Sequence, residues 1–286
     1  MVAGRVRRAK GRSMRLIGYL RDDVPTIGVV GEGLVAPLAA IDDFYADVDR
    51  ALALKPAWDR TQHLDQVRQV PPVPSSAKVL CVGLNYQSHA AEAHMEVPDH
   101  PTVFARWAST LIVDGESMPV PPGEPGLDWE VELAAVIGRT TFLADASTAL
   151  ESVLGYTVFN DVSARVRQLE TSQWTLGKNA DRTAPIGPVL VTADEIADIT
   201  NLRLETRVNG QLMQSASTKD MVFSVADIIT YITETITLVP GDVIATGTPE
   251  GVALGRNPQP YMVDGDVVEV SIDQIGRLRN PVRAHD

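Results

Sequence analysis

The amino-acid sequence predicts an α+β fold that is mostly β, in which a small N-terminal α+β domain precedes a larger β-rich domain. The 286 residues include 21 glycines and 19 prolines, a frequency of turn residues that favours many short strands over a helical bundle. Asn209-Gly210 and Asp264-Gly265 each adjoin a β-like run, which is typical of β-hairpins. Helical spacing of apolar residues is clearest near residues 41–53 and 225–238.

The division into domains follows changes in composition along the chain. Residues 1–13 are basic and lack the apolar stretch of a signal peptide, so we predict a disordered extension. Residues 14–70 form the small N-terminal domain. Residues 71–76 read Pro-Pro-Val-Pro-Ser-Ser, which predicts a stiff linker because clustered prolines hold the backbone extended. The remainder, 77–286, is predicted to be one mostly β domain.

Strands are predicted from apolar runs next to turn residues. In the N-terminal domain they cover residues 15–20 and 27–36. In the larger domain, Asn209-Gly210 separates the strand Leu202–Val208 from Gln211–Met213, and Asp264-Gly265 precedes the strand Val267–Ile272. Asn and Gly tolerate the positive φ of tight turns, so both dipeptides indicate hairpins.

Two helices are predicted from apolar residues at a helical period. The helix at 41–53 begins near Asp42 and Asp43 and presents Ile41, Phe44, Tyr45, Val48 and Leu52. The helix at 225–238 follows Ser224 as a cap, with Asp227 in its first turn, and ends before Pro240-Gly241. Its predicted buried stripe consists of Ile228, Ile229, Ile232 and Ile236.

Composition excludes several function classes. The net charge is −12, from 25 basic and 37 acidic residues, which argues against a nucleic-acid binder. Cys81 is the sole cysteine, so neither an intrachain disulfide nor a cysteine-based zinc site can form, and a reducing cytoplasm is the expected location. No apolar run is long enough to span a membrane. An anionic substrate would require a locally positive site, such as a bound metal or a placed Lys or Arg.

Glu130 and Glu132 begin the most informative segment, Asp128-Trp129-Glu130-Val131-Glu132-Leu133-Ala134-Ala135-Val136-Ile137-Gly138. In a strand, the two glutamates project to one face about 6.6 Å apart at Cα. The apolar continuation indicates burial, where two like charges are unfavourable without a cation between them. A third oxygen ligand is expected, and Asp161 is the natural candidate because it follows the β-like run 152–160. An all-oxygen site predicts Mg²⁺ or Mn²⁺ rather than zinc.

The order of several motifs resembles the fumarylacetoacetate hydrolase family over residues 78–283. These motifs are Lys78-Val79-Leu80-Cys81-Val82-Gly83-Leu84-Asn85-Tyr86 followed by His89-x-x-Glu92, Asp128-Trp129-Glu130-Val131-Glu132-Leu133, Asn160-Asp161, Gly177-Lys178-Asn179-Ala180-Asp181 with Pro185-Ile186-Gly187-Pro188, and Pro240-Gly241-Asp242 through Gly247-Thr248-Pro249-Glu250-Gly251-Val252. The resemblance implies a mixed β-roll catalytic domain, usually homodimeric, with metal ligands at Glu130, Glu132 and Asp161. It also implies substrates that are small 2-oxo or 2,4-dioxo acids.

The resemblance assigns further residues to the site. His89 and Glu92 share a helix face at a spacing of three and are predicted to form a dyad in which Glu92 orients the base His89. Lys178 is predicted to offset negative charge near the metal. A loop that in the family often reads Arg-Asp-x-Gln is Arg165-Val166-Arg167-Gln168 here, so the acid is lost while Arg165 and Gln168 remain. The predicted substrate-binding residues are Arg106, Arg165, Gln168, Gly247 and Thr248. For Arg106, a structural salt bridge is an equal alternative.

The function predicted first is divalent-metal-dependent hydrolysis of a C–C bond in a 2,4-dioxo acid of the acylpyruvate type, through a stabilised pyruvate enolate. An oxaloacetate-type decarboxylase and a 2-hydroxymuconate-type isomerase remain alternatives on the same scaffold, and family members of this kind include enzymes that degrade aromatic compounds. A catalytically inactive β-roll acting as a binding protein is the alternative of another class. Retention of Glu130, Glu132, Asp161, Lys178, His89 and Glu92 argues against it.

Overall fold

The computed structural model describes residues 14–92 and 96–285 of the chain. The predicted extension at 1–13 lies outside the described residues. The strands are β1 (Arg15–Arg21), β2 (Val24–Gly31), β3 (Leu34–Ala40), β4 (Gln62–His63), β5 (Lys78–Gly83), β6 (Thr102–Trp107), β7 (Leu111–Ile112), β8 (Met118–Pro119), β9 (Val131–Ile137), β10 (Val153–Asn160), β11 (Ala184–Thr192), β12 (Arg203–Val208), β13 (Gln211–Ser217), β14 (Val243–Ala245), β15 (Val267–Ile272) and β16 (Gly276–Arg283). The α-helices are α1 (Ile41–Ala46), α2 (Val48–Ala53), α3 (Gln87–Glu92), α4 (Arg165–Leu169), α5 (Thr175–Lys178) and α6 (Val225–Thr233).

Two sheets organise the described residues, and they confirm the predicted mostly β, mixed fold. The larger sheet has 11 strands in the order β4-β3-β2-β1-β11-β10-β9-β14-β5-β6, with β7 paired to β11, and the smaller has five in the order β13-β12-β15-β16-β8. Most neighbours are antiparallel, while β5 with β14, β7 with β11 and β8 with β16 are parallel. The N-terminal strands join the larger sheet because β1 pairs with β11.

Strand β9 is buried along its whole length because both of its faces are covered. Its residues Leu133 and Ile137 belong to the core shared with the smaller sheet, whose strands β12 and β15 pack against β9. The alternate residues Ala134 and Val136 belong to a second core that includes the N-terminal helices. Glu132 occupies this second face, one pleat before Ala134, so the strand carries a carboxylate into a buried environment.

The N-terminal elements differ from the predicted ones at two points. The run 27–36 is not one strand, because Glu32 and Gly33 both adopt positive φ and turn the chain between β2 and β3. The predicted helix 41–53 is broken at Asp47, whose non-helical backbone ends α1 and whose side chain accepts a hydrogen bond from the Arg50 N–H to cap α2. An aspartate side chain competes for backbone N–H groups in this way, which favours caps over helix interiors.

The Asn209-Gly210 hairpin is confirmed, with β12 and β13 paired directly across it. Asp264-Gly265 forms a turn but no hairpin, because β15 pairs instead with β16 through a turn at Gln274. The chain before it, rich in proline, makes only the isolated bridge of Met262 to Leu127.

The predicted capping of the second helix by Ser224 and Asp227 is confirmed as a reciprocal capping box. This helix ends at Thr233 rather than at residue 238, and Ile236, predicted to be buried, lies on the exposed side of the turn that follows. Within the described part of the chain, no helix has the length and apolar character needed to cross a membrane.

Candidate metal centre and active site

The three predicted ligands meet where β9 begins and β10 ends. Glu132 pairs with Phe159 across these antiparallel strands, and the Asp161 N–H donates to the Glu130 carbonyl at 2.9 Å. The Asn160 side-chain oxygen accepts the Glu130 N–H at 2.9 Å. As a result, Glu130, Glu132 and Asp161 are all buried, and each offers a carboxylate oxygen within 4.8 Å of the others.

Cationic side chains surround two of the three carboxylates. Lys178 Nζ donates to Glu130 Oε2 at 2.7 Å and to Asp161 Oδ2 at 2.6 Å. Arg165 forms an ion pair with Glu130 at 2.6 Å, and Arg106 forms one with Asp161. Burial alone raises the pKa of Glu130, but the charges of Lys178 and Arg165 outweigh it and lower this pKa to about 2.

Glu132 lacks such a partner. Among the residues that the structure describes, no Lys, Arg or His nitrogen lies within 4.0 Å of its carboxylate. The Gly247 N–H donates to Glu132 Oε2 at 2.9 Å. Burial, followed by the charges of Asp161 and Glu130, raises the pKa of Glu132 well above its usual range. A buried carboxylate that faces two others and forms no direct ion pair is the environment that a divalent cation stabilises, so the donor set fits a hard ion such as Mg²⁺ or Mn²⁺.

His89 and Glu92 lie on α3 at the edge of the carboxylate cluster. His89 is largely buried, and its Nδ1 lies 3.6 Å from Glu92 Oε2. Glu92 also accepts the Gly251 N–H, at 3.0 and 3.1 Å to its two oxygens, which attaches α3 to the loop after β14. The imidazole is close enough to Glu130 to contribute to the lowering of that residue's pKa. The structure therefore brings the predicted dyad to the cluster, with Nε2 as the ring nitrogen that does not face Glu92.

Arg165 and Gln168 bind each other beside the cluster. Arg165 Nη1 donates to Gln168 Oε1 at 2.8 Å, and Arg165 Nε donates to Asp128 Oδ2 at 2.8 Å. Asp128 and Glu130 thus supply the negative charge that the loop's own sequence lacks. A Cβ on Gly177 would lie 2.4 Å from the Gln168 backbone nitrogen, so only glycine lets α5 approach α4 this closely.

The other predicted substrate contacts face protein groups. Arg106 is buried, and besides Asp161 it donates to the Val162 carbonyl at 3.1 Å and to the Thr183 hydroxyl at 2.7 Å. This position favours a structural ion pair, which was the other role open to Arg106. The Gly247 N–H is directed to Glu132, and the Thr248 hydroxyl accepts from Gln214 Nε2 at 2.9 Å. Both residues stay close to the cluster, where they support its carboxylates and the loop around them.

Comparison with known proteins supplies the deciding observation. Residues 78–283 match the family model described as fumarylacetoacetate (FAA) hydrolase C-terminal. The chain belongs to this family. The family member named oxaloacetate tautomerase FAHD2B, mitochondrial, from Bos taurus is 42% identical over 238 residues, which cover 82% of this chain and 74% of the relative. A Sphingomonas enzyme named 2,4-didehydro-3-deoxy-L-rhamnonate hydrolase is 42% identical over 213 residues, covering 74% and 75% of the two chains.

A solved structure extends the comparison to the whole fold. The chain resembles a 2-hydroxyhepta-2,4-diene-1,7-dioate isomerase from Mycobacterium marinum with a TM-score of 0.79 at 33% identity, over 95% of this chain and 99% of that one. The fumarylacetoacetate hydrolase family members similar to this chain are thus named as a tautomerase, a hydrolase and an isomerase. These relatives are enzymes, and each name gives a different reaction.

Sequence reasoning assigned no role to Asp128, which holds the family's acidic segment in place. Its Oδ1 accepts the N–H groups of Trp129 and Ala253 at 2.8 and 2.7 Å, and its Oδ2 accepts that of Leu254 at 3.0 Å in addition to Arg165 Nε. Asp128 is fully buried, and a buried aspartate must find several donors. The signal in the sequence was its place directly before Glu130 and Glu132 in a segment predicted to be buried.

Proposed function

We propose that this chain is a divalent-metal-dependent enzyme that interconverts the keto and enol forms of a small anionic 2-oxo acid of the oxaloacetate type. The observation that carries the proposal is the buried cluster of Glu130, Glu132 and Asp161 with His89 and Lys178 at its edge. The name of the Bos taurus relative, an oxaloacetate tautomerase, supports this choice of reaction and substrate.

Glu130, Glu132 and Asp161 would hold the cation, Mg²⁺ or Mn²⁺, since they offer the buried oxygen donors that either ion prefers. When bound, the ion supplies Lewis-acid polarisation of the 2-oxo group, which favours loss of a proton from the neighbouring carbon. Lys178 lies between two ligands and adds a positive charge beside the place where enolate charge develops.

His89 acts as the acid–base group in this proposal. Its Nδ1 lies 3.6 Å from Glu92 Oε2, and this carboxylate orients the ring. Its Nε2 then takes the proton from C3 of the keto acid, and the same nitrogen returns that proton to the 2-oxo oxygen to give the enol. The C3–H bond breaks and an O–H bond forms, so the reaction needs no co-substrate.

Hydrolysis of a C–C bond in an acylpyruvate-type 2,4-dioxo acid is the second candidate. The His89–Glu92 pair favours it, because a base beside a carboxylate can also activate a water for attack on the 4-carbonyl, after which the C3–C4 bond breaks. The relative named as a hydrolase supports this candidate. Oxaloacetate decarboxylation uses the same enolate without an attacking water. The homodimer and the cytoplasmic location stay predictions, and the Bos taurus relative is itself named as mitochondrial.

One panel of assays distinguishes these reactions. The purified chain is incubated with Mg²⁺, Mn²⁺ or a chelator, and three signals are followed: decay of enol-oxaloacetate absorbance, release of pyruvate from acylpyruvates, and release of CO₂ from oxaloacetate. The proposal expects metal-dependent acceleration of the first signal above the other two. Fast pyruvate release from an acylpyruvate without tautomerase activity would instead establish the hydrolase. If none of the three signals exceeds the uncatalysed rate, the inactive binding protein becomes the better interpretation.

A further inference from the structure

Gln214 is the buried residue of β13, which is an edge strand of the smaller sheet. The register between β12 and β13 shifts after Thr206, because Met213 is an extra residue on β13, and this bulge places Gln214 opposite Thr206. The loop after β14 lies directly against this part of β13. A Cβ on Gly251 would be 2.3 Å from the Met213 carbonyl oxygen, so only glycine lets the loop approach this closely. An amide enclosed in this way must find hydrogen-bond partners inside the protein.

The Gln214 amide makes four hydrogen bonds, and they fix its orientation. The oxygen Oε1 accepts the Val131 N–H at 3.1 Å and the Thr206 hydroxyl at 2.7 Å. The nitrogen Nε2 donates to the Pro249 carbonyl at 2.8 Å and to the Thr248 hydroxyl at 2.9 Å. A backbone N–H can only donate and a carbonyl can only accept, so this orientation of the amide is the one that pairs all four groups.

The four bonds connect two chain segments whose direct pairing ends at the carboxylate cluster. Strands β9 and β14 pair with each other, and one further backbone bond runs from the Thr246 N–H to the Leu133 carbonyl at 3.0 Å. In the part of the chain that the structure describes, no backbone–backbone hydrogen bond joins residues 129–132 to residues 247–251. Side chains make the connection there, and Gln214 contacts both segments from a third strand.

Glu132 depends on both of these segments. Its backbone lies in β9 next to Val131, whereas its carboxylate accepts the Gly247 N–H of the loop at 2.9 Å. Glu130 and Asp161 are held by ion pairs with cationic side chains, but Glu132 forms no such pair with the residues that the structure describes. The position of the Glu132 carboxylate is therefore set by neutral hydrogen bonds, and it depends on the separation between strand and loop.

We propose that Gln214 is a positioning residue for the metal site, which holds β9 and the loop after β14 at the separation that keeps the Glu132 carboxylate in the cluster. The proposal rests on the proposed function for the assignment of the cluster as a cation site. Gln214 itself contacts neither the cation nor the substrate. Because it acts through a metal ligand, its effect should appear in the affinity for the cation.

Gln214→Met tests the proposal by calorimetric titration with Mn²⁺ alone. Methionine has a similar length but cannot pair with the four groups, so the Glu132 carboxylate loses its fixed position. We expect Mn²⁺ affinity to fall about 10-fold, as is typical when a group that orients a metal ligand is removed. In the Glu132→Gln background, the same substitution should change Mn²⁺ affinity by less than about twofold, because the ligand that Gln214 positions is already lost.

Asn280→Leu is the matched control for the loss of a buried amide. Asn280 is as buried as Gln214, and its Nδ2 donates to the Val113 and Glu116 carbonyls at 2.8 and 2.9 Å. The loop that carries these carbonyls contributes no residue to the carboxylate cluster. Both substitutions should lower the Tm, since each leaves buried groups unpaired, but Asn280→Leu should keep Mn²⁺ affinity within about twofold of wild type.

The role of Gln214 is refuted if Gln214→Met keeps Mn²⁺ affinity within about twofold of wild type, or weakens it equally in the Glu132→Gln background. An equal loss of affinity in Asn280→Leu also refutes it, because general destabilisation would then be the cause. If Gln214→Met does not fold, Gln214→Asn replaces it under the same criteria, since the shorter amide cannot contact both segments.

The titration contains no substrate, so the two proposals fail in different ways. A wild-type chain that binds Mn²⁺ but does not tautomerise oxaloacetate overturns the proposed function alone, and the Mn²⁺ affinities still decide the role of Gln214. A wild-type chain that does not bind Mn²⁺ overturns both proposals.

Discussion

Lys178→Met tests whether the lysine holds the carboxylate cluster together by charge. The Lys178 ammonium lies 2.7 Å from a Glu130 oxygen and 2.6 Å from an Asp161 oxygen, and all three side chains are buried. Methionine fills a similar volume without charge, so the substitution removes the one cation that the two carboxylates share. Each carboxylate keeps its arginine, which limits the loss.

Removing one partner of a buried ion pair costs about 3–5 kcal/mol. Because an arginine remains on each carboxylate, we expect the lower end, about 3 kcal/mol, in the metal-free protein. A chain of this size shifts its Tm by about 2–4 °C per kcal/mol, so the Tm should fall by about 6–12 °C. A divalent cation at 100 times its Kd stabilises either protein by about 2.7 kcal/mol, and it should bind the more negative variant more tightly. The rise in Tm on adding metal should therefore be larger for Lys178→Met than for wild type.

Differential scanning calorimetry with chelator and with saturating Mn²⁺ gives the four Tm values needed. Lys78→Met is the matched control, because Lys78 Nζ lies 2.6 Å from Asp242 Oδ2 in a pair whose lysine is 38% exposed. Loss of that pair in Lys78→Met should cost about 1 kcal/mol at most. Metal should raise the Tm of Lys78→Met by as much as it raises the Tm of wild type. The reasoning is refuted if Lys178→Met loses no more stability than Lys78→Met. It is also refuted if Mn²⁺ raises the Tm of Lys178→Met no more than that of wild type, because Lys178 would then not stabilise the cluster by its charge.

Four further outcomes are expected. Glu132→Gln should weaken Mn²⁺ binding at least about 10-fold in calorimetry, without lowering the metal-free Tm, because the carboxylate it removes has no cation partner. His89→Ala should lower turnover about 10²- to 10⁴-fold with metal affinity intact. Asp128→Ala should cost about 3–5 kcal/mol in urea unfolding, since it removes one of the two carboxylates paired with Arg165 and leaves several backbone N–H groups without their acceptor. Chelation should abolish turnover, and Mg²⁺ or Mn²⁺ should restore it.

A specific result would contradict each of these four expectations. Unchanged Mn²⁺ affinity in Glu132→Gln would remove that residue from the ligand set, and lost metal binding in His89→Ala would make the histidine a ligand instead of a base. An Asp128→Ala variant as stable as wild type would show that the donors around Asp128 find other acceptors. Turnover that survives chelation would contradict metal dependence altogether.

The geometry of the carboxylate cluster could be predicted from sequence because it depends on local periodicity. Glu130 and Glu132 share a face of one buried segment, and Asp161 follows the adjacent antiparallel strand, so three residues meet through a single strand pairing. The cations are different. Arg106 lies on a strand 55 residues before Asp161 and contacts it through the tertiary fold. The spacing of residues in the sequence does not predict such a contact. Its role was therefore left open between substrate and salt bridge.

Element boundaries were missed where a single polar or glycine residue overrides a longer pattern. The helical period of residues 41–53 continues through Asp47, but that side chain caps a new helix and the backbone there is not helical. The apolar run 27–36 conceals a turn at Glu32 and Gly33. At Asp264-Gly265 the turn residues were recognised correctly, but the strand partner was not, because pairing depends on the proline-rich chain before them.

The pairing of β1 with β11 bears on how this chain can be shortened. Leu16 and Leu190 pair across that junction, and both are fully buried. A fragment starting at residue 77, after the proline-rich segment, would leave the central strands with an open, apolar edge and unpaired backbone groups. Such an edge is a template for association with other chains. We expect that fragment to aggregate on expression, so a shortened chain should keep the strand that begins at Arg15.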